Sequence, residues 1–185
     1  IMAVYGSLIY MSSIPGGWIA DRITGTRGAT LIGAILIIIG HICLSLPFAM
    51  VGLFTSMFFI IVGSGLMKPN ISNIVGRLYP ENDVRMDAGF VIFYMSVNMG
   101  ALVSPIILQH YIDIRNFHGG FLIAAIGMAL GLVWYLLFNR KTLGSIGMKP
   151  TNPLSSSEKK KYGTIIGIVV IAIVLILIIA YFTHT

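Results

Sequence analysis

A lysine lies in the middle of a long apolar segment, within the stretch GSGLMKPNIS at residues 63–72. Lys68 is nine residues from Arg77, which at 1.5 Å per helical residue places it about 13 Å from the charged end of the segment. Its side chain reaches only about 6 Å, so the ammonium cannot extend to a membrane interface. A cation at that depth must face protein or water, and it is suited to binding an anionic group or exchanging a proton.

Two further polar side chains occur at a matching depth in other apolar segments. Asn98 lies eleven residues from Asp87, and Tyr10 lies eleven residues from Asp21, so both are about 16 Å from a charged end. For either residue alone, a hydrogen bond to a neighbouring helix is the alternative explanation. Their shared depth with Lys68 favours a site at the membrane midplane that lines an aqueous cavity.

The elements that must position these residues are membrane-spanning helices. The chain is 57% hydrophobic and only 10% charged, whereas a soluble domain has about 25% charged residues. This composition predicts an all-α, polytopic membrane protein. Six apolar runs are long enough to cross a bilayer as helices: 1–20, 29–48, 50–76, 88–112, 119–139 and 163–182. The first run begins at Ile1 without signal-peptide features, so we expect an internal portion of a longer protein.

Basic residues orient these runs. Ten of the twelve Lys and Arg residues lie in alternate breaks, and the positive-inside rule places those breaks in the cytoplasm. The predicted cytoplasmic segments are 21–28, 77–87 and 140–162. Anchoring at an anionic leaflet accounts for the net charge of +6, and no nucleic-acid partner is indicated.

The first cytoplasmic break carries a motif of glycines and charges. Its spacing is G-x-x-x-D-R-x-x-G-x-R, formed by Gly17, Asp21, Arg22, Gly25 and Arg27. Glycine permits a tight turn, and the carboxylate and guanidinium groups can pair across the inner face. The motif is therefore a candidate gating element, and a solvated basic loop is the alternative.

Three stretches resemble signatures of one transporter family. The segment GGWIADRITGTRGATLIGAILIIIG (16–40), with Thr30 where Val or Ile is usual, is similar to a signature of the proton-dependent oligopeptide transporter (POT/PTR) family of the major facilitator superfamily. FVIFYMSVNMGAL (90–102) matches a second signature, and GLMKPNIS resembles the fourth-helix motif. The resemblance extends over essentially the whole chain and is greatest to bacterial di- and tripeptide:proton symporters.

The resemblance implies roles for the three midplane residues. It assigns Lys68 to binding the peptide carboxylate and to proton coupling, and Asn98 and Tyr10 to contacts with the peptide backbone. The expected function is import of di- and tripeptides across the cell membrane by alternating access, coupled to protons, with neither a cofactor nor a metal. The absence of an acidic residue from all six runs places the expected partner of Lys68 outside this chain.

The resemblance also implies a domain organisation. Residues 1–139 correspond to helices two to six of the N-terminal six-helix bundle, 140–162 to a cytoplasmic linker, and 163–185 to an additional helix between the two bundles. The first helix and the second half of the transporter are then the missing partners of this chain, beside the lipid bilayer, peptide and protons.

Two other classes remain open on the residues alone. Another proton-coupled transporter of the superfamily, such as a drug exporter, would share the first loop motif but not the signature at 90–102. A membrane scaffold or channel subunit would use Lys68 as an assembly contact. An enzyme is not indicated, because no nucleophile–base pair or cluster of histidines with metal-ligand spacing is evident.

Overall fold

The computed structural model describes residues 2–47, 49–111 and 117–155, together with residues 158 and 164. Its regular elements are α1 Met2–Met11, α2 Ser13–Ile19, a π-helical turn Ala20–Thr24, α3 Gly25–Ser45, α4 Ala49–Gly76, α5 Arg85–Tyr111 and α6 Phe117–Leu143. All regular elements of the described part of the chain are thus helices, as the composition predicted. The sixth predicted run, 163–182, lies outside the described residues except for residue 164.

Four helical stretches are long and apolar enough to cross a membrane: Tyr5–Ser45, Met50–Gly76, Arg85–Gln109 and His118–Leu143. The first contains 41 residues, which would extend about 60 Å as one straight helix, twice the thickness of a bilayer core. Gly25 interrupts it with φ 74° and ψ 159°, a conformation that residues with a side chain rarely adopt. The stretch therefore contains the first two predicted runs.

Contacts with α4 give the direction of α1 and α2. The Ser12 hydroxyl donates to the Ile61 carbonyl at 2.9 Å. Four residues later, Gly16 lies against Gly65. Because the numbers rise together on both sides of the interface, α1 and α2 run parallel to α4.

The contacts of α3 with α4 follow the opposite order. A Cβ atom built on Gly33 would lie 2.6 Å from the Gly63 carbonyl oxygen, whereas one on Gly40 would lie 3.1 Å from the Ser56 carbonyl oxygen. The numbers fall on α4 as they rise on α3, so these helices are antiparallel. The chain therefore reverses between α2 and α3, and the first three predicted runs alternate in direction.

The predicted cytoplasmic segment 21–28 is not an open loop in the structure. Its residues continue as the π-helical turn and the first turn of α3, and only Gly25 leaves helical geometry. At the start of α3 the Arg27 backbone N–H donates to the Gly147 carbonyl at 3.0 Å, which satisfies one of the backbone donors that a helix N-terminus leaves free. The prediction of a loop was wrong because the chain reverses its direction at a single residue, Gly25, and the residues on either side of it stay helical.

The connection from α4 to α5 is stabilised at its end by an ion pair. The Asp83 carboxylate accepts the Arg85 backbone N–H at 2.9 Å and lies 2.8 Å from the guanidinium of the same residue. Beyond this turn, Phe90 is the residue that Gly76 faces across the hairpin. The end of α4 is therefore level with the start of α5.

Residues 152–185 form a separate compact unit from residues 1–151. Within its described part, the Ser155 backbone N–H donates to the Glu158 carboxylate at 2.9 Å, and the Glu158 N–H donates to the Ser155 hydroxyl at 3.4 Å. This reciprocal pair is a capping box, which marks a helix N-terminus. It lies inside the segment 140–162 that the sequence predicted as linker.

Candidate functional site

Lys68 and Tyr10 come together on the exposed side of α4. The Lys68 ammonium nitrogen lies 5.9 Å from the centre of the Tyr10 ring, within the range at which a cation is attracted to an aromatic face. Both side chains are exposed in this chain, Tyr10 to 76%. The ammonium is thus held beside an aromatic ring and still accessible to a ligand.

Proline 69 explains how the backbone beside Lys68 is arranged. Pro69 lies inside α4 and has no N–H, so it cannot donate to the Gly65 carbonyl four residues earlier. That carbonyl lies against Gly16 of α2, where a Cβ atom would collide with it. Glycine at position 16 therefore lets the helix that follows Tyr10 approach α4 at backbone distance.

Asn70 is a polar residue of this interface that sequence reasoning quoted but gave no role. It is 2% exposed, and its amide nitrogen donates to the Leu66 carbonyl at 2.7 Å and across the interface to the Gly16 carbonyl at 3.2 Å. The sequence did contain a sign of this role, because an asparagine two residues from Lys68 is unusual in a run that is mostly apolar. A buried carboxamide needs such partners.

Asn98 is level with Lys68, but among the described residues it forms no hydrogen bond with Lys68 or Tyr10. Gly76 and Phe90 face each other where α4 and α5 meet. Lys68 lies eight residues before Gly76 and Asn98 eight residues after Phe90, so both are about 12 Å from this contact. The Asn98 side chain is exposed, and it is free to meet a ligand at that height.

The structure distributes the residues of the first loop motif over three elements. Gly17 lies on α2, whereas Asp21 and Arg22 lie on the π-helical turn. Asp21 forms no salt bridge with a described residue, so the predicted pairing with an arginine is not formed in this conformation. Gly25 provides the reversal, and a Cβ atom there would also lie 2.7 Å from the Gly147 carbonyl oxygen.

Arg27, the last residue of the motif, is buried. It is 9% exposed, and its Nε and Nη2 atoms have no hydrogen-bond partner among the described residues. The guanidinium is close enough to Tyr135 of α6 to interact with it electrostatically. The description of the motif as a solvated basic loop therefore does not apply to Arg27.

The described residues contain no group of three His, Cys, Asp or Glu side chains that could hold a metal ion. A surface cavity of about 790 Å³ lies beside the segment that follows α6. Arg77 and the segment 145–149 line it. It is separate from the Lys68 and Tyr10 pair.

Comparison with known proteins identifies the family of the chain. Residues 28–178 match the model of the POT family, PTR2. A di-/tripeptide transporter of Lactococcus lactis subsp. lactis (strain IL1403) is 43% identical over 175 residues, which are 95% of this chain and 35% of that protein. The chain therefore spans about a third of the length of such relatives.

Two solved structures have the same fold. A POT family transporter in complex with a thioalcohol conjugated peptide is 82% identical with a TM-score of 0.93, and the match covers 100% of this chain and 38% of that one. A mutant of the peptide transporter POT in complex with alafosfalin is 49% identical with a TM-score of 0.88, covering 95% and 36%. This chain, with its lysine and tyrosine at the middle of two packed spans, belongs to the POT family.

Proposed function

We propose that the full-length protein is a proton-coupled symporter that imports di- and tripeptides across the cell membrane by alternating access. The observation that carries this proposal is the Lys68 ammonium, exposed beside the Tyr10 ring inside the apolar helix α4, eight residues before its end. A fixed cation in the membrane interior is costly unless it serves a ligand or a charge partner. Relatives named as di-/tripeptide transporters support a peptide as that ligand.

A peptide presents a carboxylate, an amine and amide groups, and the exposed side chains match two of these. Lys68 binds the carboxylate through a charge-assisted hydrogen bond. Tyr10 and Asn98 contact the peptide backbone, since a phenol and a carboxamide can each donate and accept. The amine requires an anionic group, which the second half of the transporter supplies. The coupling ion is the proton, and no cofactor takes part.

Proton coupling follows from competition for the lysine. In the empty transporter, Lys68 pairs with a carboxylate of the second half. Protonation of that carboxylate, or arrival of the peptide carboxylate, breaks the pair. Either event shifts the population between outward-facing and inward-facing states, because the two states differ in the free energy of this ion pair.

The motif at Gly17, Asp21, Arg22, Gly25 and Arg27 belongs to the gate on the cytoplasmic side. Its support is the packing of the first turn of α3 on the segment after α6, where the Arg27 backbone donates to Gly147. Segments 21–28, 77–87 and 140–162 face the cytoplasm in this proposal, and 163–185 forms the additional helix between the bundles.

Uptake into liposomes tests this function. The full-length transporter is reconstituted, a pH gradient is imposed, and accumulation of a labelled dipeptide is measured for the wild type and for Lys68→Ala. We expect saturable, gradient-driven uptake in the wild type and its loss in Lys68→Ala. Lys141→Ala is the control, because this lysine is exposed near the end of α6, and uptake should be unchanged. Gradient-driven uptake at the wild-type level in Lys68→Ala would refute the proposed role.

A further inference from the structure

We propose that Asn70 and Ser12 form a two-point clamp that positions the Tyr10 ring beside Lys68. The clamp connects the helix that carries Tyr10 to the helix that carries Lys68. Neither residue touches the peptide in this inference, so both are positioning residues. The functional part of the inference rests on the proposed peptide transport.

The first point of the clamp is Asn70. Its amide nitrogen has two protons, and the two acceptors in reach are the Gly16 carbonyl on α2 and the Leu66 carbonyl on α4. The bond to Leu66 fixes the Asn70 side chain against its own helix. Because the amide is fixed in this way, its bond to Gly16 connects α2 firmly to α4. Since Asn70 is 2% exposed, water cannot replace a bond that is lost, and the unpaired group would carry its full desolvation cost.

The second point of the clamp is Ser12, two residues after Tyr10. Its single hydroxyl proton is shared between the Ile9 carbonyl at 2.8 Å and the Ile61 carbonyl of α4 at 2.9 Å. A Cβ atom on Gly65 would collide with this hydroxyl. The contact across the interface therefore depends on glycine at position 65, and it holds the chain at the end of α1, two residues after Tyr10.

The hydrogen bond from Asn70 to Gly16 lies close to the point where α2 gives way to the π-helical turn. The Gly16 carbonyl that Asn70 binds also accepts the backbone N–H of Ala20, the residue at which the π-helical turn begins. A side chain that binds a carbonyl of the helical ladder is a known cause of such a local widening. The clamp thus lies between the Tyr10 and Lys68 pair and the gating motif that follows.

A distance measurement tests the clamp without any substrate. Spin labels are placed on α1 and α4 of the full-length transporter through Leu8→Cys and Phe58→Cys, both exposed positions, with Cys43→Ala and all other cysteines removed. We expect Asn70→Ser and Ser12→Ala each to shift or broaden the distance distribution. Asn73→Ser is the matched control, since Asn73 lies on the same helix and its side-chain oxygen accepts a hydrogen bond from exposed Arg77 rather than from α2. Unchanged distributions in both test variants would overturn the clamp.

A double-mutant cycle tests its consequence for binding. Dipeptide affinity of the purified, folded transporter is measured for Asn70→Ser, Tyr10→Leu and the combination. We expect Asn70→Ser to raise Kd by at most the roughly two- to fivefold expected for loss of the Tyr10 ring when Tyr10 is present, and to leave Kd unchanged when the ring is absent. If Asn70→Ser does not fold, Ser12→Ala takes its place in the cycle.

The outcomes separate the two proposals. An equal loss of affinity in both backgrounds would show that Asn70 acts independently of Tyr10, and it would overturn the positioning role. A wild-type transporter that binds no dipeptide would reject the proposed function, whereas the spin-label distances would still decide whether the clamp exists.

Discussion

The two faces of α4 differ in what they contact and in which residues they carry. One face packs against α1, α2 and α3, and its buried residues include Gly63, Ser64, Gly65, Leu66, Asn70 and Ile74. The other face carries Lys68, whose ammonium is exposed beside Tyr10. Small residues on the first face allow backbone contact, and this contact sets the position of the charge on the second.

The comparison implies that substitutions on the buried face act first on stability and reach binding only through the position of Tyr10, whereas substitutions on the exposed face act directly on binding. Each of the following changes affects one of these properties and has a control on the same chain. They are ordered by the size of the expected effect.

Gly65→Ala should have the largest effect on folding. Its Cβ atom would collide with the Ser12 hydroxyl and lie 2.5 Å from the Ser12 carbonyl oxygen, so α1 must shift. Overpacking of this kind costs about 1–3 kcal/mol, which thermal unfolding of the full-length protein in detergent would show as a lower Tm. Gly76→Ala is the control, because its Cβ would meet Phe90 at 3.5 Å, an ordinary contact. Equal Tm values for the two variants would contradict the packing described.

Gly25→Ala should destabilise the reversal between α2 and α3. An alanine at φ 74° costs about 1–2 kcal/mol in backbone strain, and its Cβ would also lie 2.7 Å from the Gly147 carbonyl oxygen. Gly144→Ala is the comparison without a clash, because Gly144 has φ 52° with open space around it. We expect both variants to lower Tm, and Gly25→Ala to do so by more. The reverse order would show that the contact with Gly147 is unimportant.

Tyr10→Leu should weaken dipeptide binding on the exposed face. An accessible cation–π contact contributes about 0.5–1 kcal/mol, so we expect Kd to rise about two- to fivefold without a change in Tm. Tyr10→Phe keeps the ring and removes the hydroxyl, and its affinity measures the proposed contact of the phenol with the peptide backbone. A lower Tm in Tyr10→Leu with unchanged affinity would place Tyr10 with the buried face instead.

Asp83→Asn should have the smallest effect, because Arg85, its ion-pair partner, is 77% exposed and pairs at the protein surface contribute little. Hydrogen bonds from Arg85 lower the pKa of the Asp83 carboxyl below its ordinary value. The carboxylate therefore stabilises the fold above that ordinary value, and this contribution disappears as the pH falls through the lowered pKa. We expect a Tm difference from the wild type of at most about 2 °C at pH 7, vanishing in strong acid. A difference that grew on acidification would contradict this sign.

Sequence reasoning predicted the fold class and the positions of the spans, because apolar length and loop charge are local properties. It placed the end of α6 at residue 139, whereas the helix continues to Leu143. Arg140 and Lys141 lie in that last turn, where basic residues are favourable to the helix dipole. The first basic residues mark where the apolar run of α6 ends, but the helix itself continues through them to Leu143.

The clamp could not be predicted in the same way. Asn70 and Gly16 are 54 residues apart, and Ser12 and Ile61 are 49 apart. Which carbonyl a buried amide reaches depends on the packing of two helices, and composition and spacing along one helix do not contain that information. Counting residues from the charged ends placed Lys68 and Tyr10 at a similar depth. Only the packing of the helices shows that the Lys68 ammonium nitrogen lies 5.9 Å from the centre of the Tyr10 ring.

The central claim is that Lys68 binds the carboxylate of the peptide, and a comparison of two ligands tests it most directly. Affinities of the full-length transporter for a dipeptide and for the same dipeptide with an amidated C-terminus are measured in the wild type and in Lys68→Ala. A hydrogen bond to a charged group contributes about 1.5–3 kcal/mol, so we expect the wild type to prefer the free carboxylate at least tenfold. The account predicts that Lys68→Ala binds both ligands with equal, weak affinity. A Lys68→Ala variant that kept the wild-type preference for the carboxylate would contradict it.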